Sequence, residues 1–181
     1  IMPSLKSIYL TIVLLCSASV QAQTTDLSDL IVGNWYKKSQ TNKDGVNITT
    51  MYVQEFLPDG TISEQTQYLI SYQTLQASCI KNTSWEWYAE GNMLYQKRLN
   101  NVVTPDFLKE NGIKIYDDQK LNNVCNIIRK DADETKLLTS SFRVLSIDQT
   151  KVDYQYKDDN GNWITTTDYK VPQRFGYFRV R

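Results

Sequence analysis

Beyond residue 30 the chain is built of short runs in which apolar and polar residues alternate, rich in β-branched and aromatic side chains and cut by Gly, Asn, Asp and Pro. A period of two suits a strand with one buried face, whereas a helix needs its apolar residues three and four apart, so this pattern argues for an all-β fold. A short helical turn at 26–30 leads into a first strand near 31–38. The next, 49–57, sets Tyr52, Gln54 and Phe56 on one face and Met51, Val53, Glu55 and Leu57 on the other. Pro58-Asp59-Gly60 then turns the chain, Pro pre-setting φ and Gly supplying a positive φ. Strands at 61–72, 84–89 and 93–99 follow, with Trp85 and Trp87 on one face and Glu90-Gly91-Asn92 closing a hairpin. Segments at 138–147, 151–156, 162–169 and 175–180 complete the set. Closure into one antiparallel barrel of about 8–10 strands is the economical arrangement, because it removes exposed sheet edges.

One stretch departs from the alternation. Thr104-Pro105-Asp106 has the form of a helix start with Pro at the first position, Asn111-Gly112 reads as a stop, and Leu121, Val124, Cys125 and Ile128 fall at helical spacing. The expectation is a helical insertion near 104–130.

Residues 1–22 resemble a secretory leader in layout: Lys6, an apolar run at 8–15, and small residues Val20 and Ala22 before Gln23. Cleavage after Ala22 would leave 159 of the 181 residues as one domain, 23–181, exported to a periplasm or secreted. Cys16 opens a lipoprotein alternative, disfavoured by the bulky Leu15 before it. The apolar run is too short for a transmembrane segment, and no later stretch is long enough. After such cleavage Cys79 and Cys125 are the remaining thiols, and in an oxidising compartment a disulfide is the default; it would close a loop of about 47 residues, stabilising by about 4 kcal/mol on the chain-entropy model.

Charge and composition exclude several classes. The 20 basic and 20 acidic residues balance, which argues against nucleic acid, where a clustered basic excess is needed. The absence of His removes His-based triads and the commonest metal ligand, and there is no CxxC, so neither a metal nor a cofactor is expected. Asp158, Asp159 and Asn160 lack the ligand spacing of a calcium loop and read as a solvated turn. Asn47 and Asn82 head formal glycosylation sequons. Glu86, Glu55 and Asp106 are carboxylates that general acid–base work could use, but no spacing marks a pair, and the chain is not expected to be an enzyme.

Leu30-Ile31-Val32-Gly33-Asn34-Trp35 resembles the opening of lipocalin-like proteins, where a helical turn leads to Gly-x-Trp on the first barrel strand. Phe56-Leu57-Pro58-Asp59-Gly60-Thr61, Trp85-Glu86-Trp87 with Gly91-Asn92-Met93-Leu94, and a late hairpin at 142–152 are similar to the compact bacterial lipocalin-like domains. The resemblance implies a calycin-type barrel in which Trp35 plugs the closed end, Gly33 permits its approach, and an Arg from near the C-terminus packs across it. Arg179 is favoured for that place over Arg174 and Arg181. Thr167-Asp168-Tyr169 also matches a lipocalin signature, but with 12 residues after it the match is read as chance.

Tyr is abundant, 12 residues beside 4 Trp, as suits an aromatic-lined cup for a small, partly apolar ligand. From strand alternation the inward candidates are Tyr52, Phe56, Trp87, Tyr154 and Tyr156. A filled core remains open as the alternative to a cavity. So does a second function, an envelope protein-binding module of inhibitor or immunity type that presents the 100–130 region to a protein partner.

Overall fold

Asp26 begins the described chain by accepting a hydrogen bond from the Ser28 amide, which caps α1 (Leu27–Ile31). The computed structural model describes residues 26–134 and 139–172, with side chains placed for 26–130 and 139–172. Residues 1–25 with Cys16, the strand expected at 175–180 and Arg174, Arg179 and Arg181 lie outside the described residues.

Among the described residues nine strands follow the cap: β1 (Gly33–Lys43), β2 (Val46–Phe56), β3 (Thr61–Tyr72), β4 (Leu75–Glu90), β5 (Met93–Glu110), β6 (Ile113–Ile115), β7 (Thr139–Ile147), β8 (Lys151–Lys157) and β9 (Trp163–Val171). Helix α2 (Asp118–Glu134) stands between β6 and β7. Antiparallel neighbours run β1-β2-β3-β4-β5-β7-β8-β9, and β9 returns to β1 through Asn34–Val171, Trp35–Lys170 and Tyr36–Tyr169. Eight strands thus close into an antiparallel barrel, and β6 is added to the far end of β5. No described helix is long and apolar enough to cross a membrane.

Turn chemistry sets the hairpins. Asp44-Gly45, both at positive φ, joins β1 to β2 in a two-residue loop and lengthens both strands beyond the expected 31–38 and 49–57. After β2, Asp59 Oδ1 accepts from the amide and hydroxyl of Thr61, and Gly60 takes φ +83°. The same side-chain device recurs before β8, where Asp148 Oδ1 accepts from the Thr150 amide and hydroxyl.

The expected insertion is corrected in its first half. β5 continues straight through Pro105 to Glu110, and Asn111-Gly112 turns a hairpin instead of ending a helix. Pro105 is tolerated because the ladder shifts register beside it, leaving Asp106 bulged, and because β7 pairs only with Met93–Lys97 and β6 only with Leu108–Glu110. The helix begins at Asp118, where Asp117 Oδ1 accepts from the Lys120 amide. Its apolar residues are those read at helical spacing: Leu121, Cys125 and Ile128 are buried, with Val124 packed beside them.

The described residues form two apolar clusters in the interior. At the closed end Leu27, Ile31, Trp35, Phe56, Ile62, Trp87, Leu94, Val144 and Val152 form a floor. At the other end α2 packs Leu121, Cys125 and Ile128 against Ala77, Cys79, Val103 and Leu108 of β4 and β5. Cys79 and Cys125 are joined in a disulfide, S–S 2.06 Å. Along β3, Ile62 belongs to the floor and Ile70 to the helix cluster, so one sheet face runs from one to the other.

Candidate functional site

Between those clusters lies a cavity of about 280 Å³, lined from α1 and from every barrel strand except β1. Its base is apolar because Ile31, Phe56, Leu94, Val144 and Val152 are shared with the floor. Its wall is polar, because on β2, β3, β8 and β9 the inward positions above that floor carry Tyr52, Gln54, Glu64, Thr66, Tyr154 and Asp168.

Two buried carboxylates organise the wall, and they differ. Glu64 accepts from Gln54 Nε2 at 2.6 Å and from the Thr66 hydroxyl at 3.2 Å, and Lys81 Nζ lies 3.9 Å away. Its charge is met from three sides. Asp168 is 3% exposed; its Oδ2 accepts from the hydroxyls of Tyr52 at 2.5 Å and Tyr154 at 2.9 Å, while its Oδ1 is buried with no hydrogen-bond partner. Burial pushes the Asp168 carboxyl above the ordinary range, against the two tyrosine hydrogen bonds and the more distant Lys37, which favour the ionised form. Lys37 itself is engaged by the Thr166 hydroxyl. Both phenols are pushed up, by burial first and then by each other or Asp168, and stay protonated as donors. A further buried polar atom is unmatched: the indole N–H of Trp85, which also lines the cavity, has no partner.

Of the inward residues expected from alternation, Tyr52, Phe56 and Tyr154 line this cavity. Trp87 lies below it in the floor, where its indole N–H donates to the carbonyls of Leu57 and Thr61 at 3.1 Å each and its ring meets Phe56 edge-on. Tyr156 shares the face of Tyr154 but stands outside the lining, its ring 6.3 Å from Phe142. Glu86 points to solvent and faces Lys97 at 3.6 Å, Asp106 is the bulged residue of β5, and neither they nor Glu55 lines the cavity. Asp158 closes its own turn by accepting from the amides of Asn160 and Asn162. Among the described residues no group of three or more Cys, Asp or Glu side chains is placed to hold a metal.

The closed end is built as a structural plug. Trp35 is 1% exposed and donates its indole N–H to the Ile31 carbonyl at 2.6 Å. Gly33 has φ +130°, where a Cβ would meet Lys170 Cε at 3.0 Å. The cation over the Trp35 ring among the described residues is Lys170, with Nζ 5.1 Å from the centroid, in the position for which Arg179 was the expectation.

Asp168 is the residue the alternation misleads on. Reading aromatics inward and acids outward would bury Tyr169 and expose Asp168, and β9 does the reverse, with Tyr169 56% exposed. No protein-family model matches the chain, and no curated protein matches it in sequence.

Proposed function

We propose that the protein is an exported, lipocalin-like barrel that binds a small, partly apolar molecule in the cavity between floor and helix. The observation that carries this reading is a cavity with an apolar base in which Asp168 Oδ1 and the Trp85 N–H are both buried and unmatched. A buried polar atom without a partner costs about 1–3 kcal/mol, and a ligand that supplies the missing partners removes that cost on binding. The volume suits roughly ten to fifteen non-hydrogen atoms. Export is supported by the leader-like residues 1–22 and by the Cys79–Cys125 disulfide, which favours an oxidising compartment.

A second reading, a protein-binding module, rests on the 100–130 region, where Ile113, Tyr116 and Ile127 are each more than two-thirds exposed. Native mass spectrometry of the protein taken from its own source separates the two. The expected result is a non-protein mass of a few hundred daltons or less that is absent from a Thr50→Trp variant, in which the new ring fills the cavity. A stoichiometric protein partner without a small molecule, lost on Tyr116→Ser but kept on Thr50→Trp, would replace the carrier reading with the second one.

A further inference from the structure

Resting on the cavity reading above, we infer that the ligand is a small organic amine, held by its ammonium group at Asp168 Oδ1 with its apolar body over the floor. The Asp168 carboxylate lacks a donor at Oδ1. Oδ2 receives two phenol protons, Oδ1 receives none, and the side chain is almost fully buried, so Asp168, one of the residues lining the cavity, carries a carboxylate with no hydrogen-bond donor on one oxygen. With both hydroxyl protons given to Asp168, the phenol oxygens of Tyr52 and Tyr154, 3.0 Å apart, present acceptors beside it. Three acceptors close together match the three donors of a primary ammonium, and a charged donor also supplies the missing counter-charge.

The surroundings agree with a cation. The rings of Tyr52, Tyr154 and Phe142 all line the cavity, with Phe142 edge-on to Tyr154 at 5.4 Å, and aromatic walls favour ammonium groups. Glu64 is a poor rival anchor, since Gln54, Thr66 and Lys81 already meet its charge. An anionic ligand would face two buried carboxylates, Asp168 and Glu64, against the single lining lysine, Lys81. The unmatched Trp85 N–H adds a second criterion, a hydrogen-bond acceptor elsewhere on the ligand.

The test uses three probes with one body: 2-phenylethylamine, 2-phenylethanol and 3-phenylpropionate, titrated calorimetrically into the dialysed protein at pH 8. The expected order is amine first, by about tenfold or more over the alcohol, with the carboxylate weakest; one charge-assisted hydrogen bond accounts for that margin. Asp168→Asn should bring amine and alcohol within about twofold of each other while keeping alcohol binding. Equal or tighter binding of the alcohol or carboxylate by the unaltered protein overturns the amine and leaves the cavity reading standing. Absence of binding by all three overturns the cavity reading as well. Should Asp168→Asn fail to fold by circular dichroism, the ranking in the unaltered protein decides alone.

Discussion

The floor of the barrel and the helix-covered end are both apolar clusters on one continuous sheet face, yet they are held by different means. The floor draws on α1 and on β1 to β5, β7 and β8, and it is knit by indole N–H bonds to backbone carbonyls: Trp35 to Ile31, Trp87 to Leu57 and Thr61. The helix cluster is an appendage. Helix α2 reaches β4 and β5 only after the β5–β6 detour, and is tied back by the Cys79–Cys125 disulfide and by the Arg129 guanidinium donating to the Val103 carbonyl. Packing from all round the barrel closes the floor, whereas a covalent link shortens the chain's search at the other end. The cavity exists because the two clusters do not meet.

The largest effect is expected at the floor. Trp35→Ala removes the largest fully buried side chain among the described residues, leaves the Ile31 carbonyl without that donor and takes the ring from under Lys170, at a cost of about 3–5 kcal/mol. Urea unfolding monitored by the remaining tryptophans should show the midpoint collapse. A loss under about 1 kcal/mol would mean that the floor is not what closes the barrel.

Removing the disulfide comes next. The bond spans 46 positions, and its loss in a Cys79→Ala, Cys125→Ala protein should cost up to about 4 kcal/mol through the unfolded chain. The test of the comparison is where the loss is felt. Hydrogen exchange should quicken in α2 while β1, β2 and the floor keep their protection. Uniform loss of protection would show that the two ends form one cooperative unit.

The same contrast explains what the residues disclosed. Hairpins were legible wherever the turn chemistry is local, as at Pro58-Asp59-Gly60 and Glu90-Gly91-Asn92, and the helical spacing of Leu121, Cys125 and Ile128 found α2. The extent of β4 and β5 was not legible, because residues 75–83 are mostly polar and small, and their strand form depends on pairing with β3 and β5 rather than on propensity. Thr104-Pro105-Asp106 carries a helix-start pattern, but Pro is equally at home beside a bulge with an unpaired edge, and that choice belongs to tertiary context. In the cavity, Tyr52, Phe56 and Tyr154 were legible from alternation. Asp168 was not, because its burial next to an exposed Tyr169 inverts the hydrophobic rule.

The smallest effect belongs to the cavity between the two ends, and its sign is opposite. Asp168 is faced by Tyr52 from β2, Tyr154 from β8, Lys37 from β1 and Glu64 from β3; burial dominates and raises its carboxyl above the ordinary range. A group whose folded-state pKa is raised contributes stability below its unfolded value and loses that contribution as pH rises through the folded one. Asp168→Asn, uncharged at every pH, should therefore melt a few degrees above the parent at pH 7–8 without ligand. Its amide oxygen can still accept from both phenols. The advantage should close as pH falls through the acid range, where the parent carboxyl takes up its proton. Asp153 titrates oppositely, its carboxyl held down at about 2 by Lys151, Thr167 and Ser146, but it is common to both proteins and cancels in the difference. The amine probe should narrow or reverse the order, raising the melting temperature of the parent more than that of the variant, which binds it more weakly. A variant that melts lower than its parent at every pH would make Asp168 a structural group of the barrel wall rather than one whose burial is relieved by a ligand.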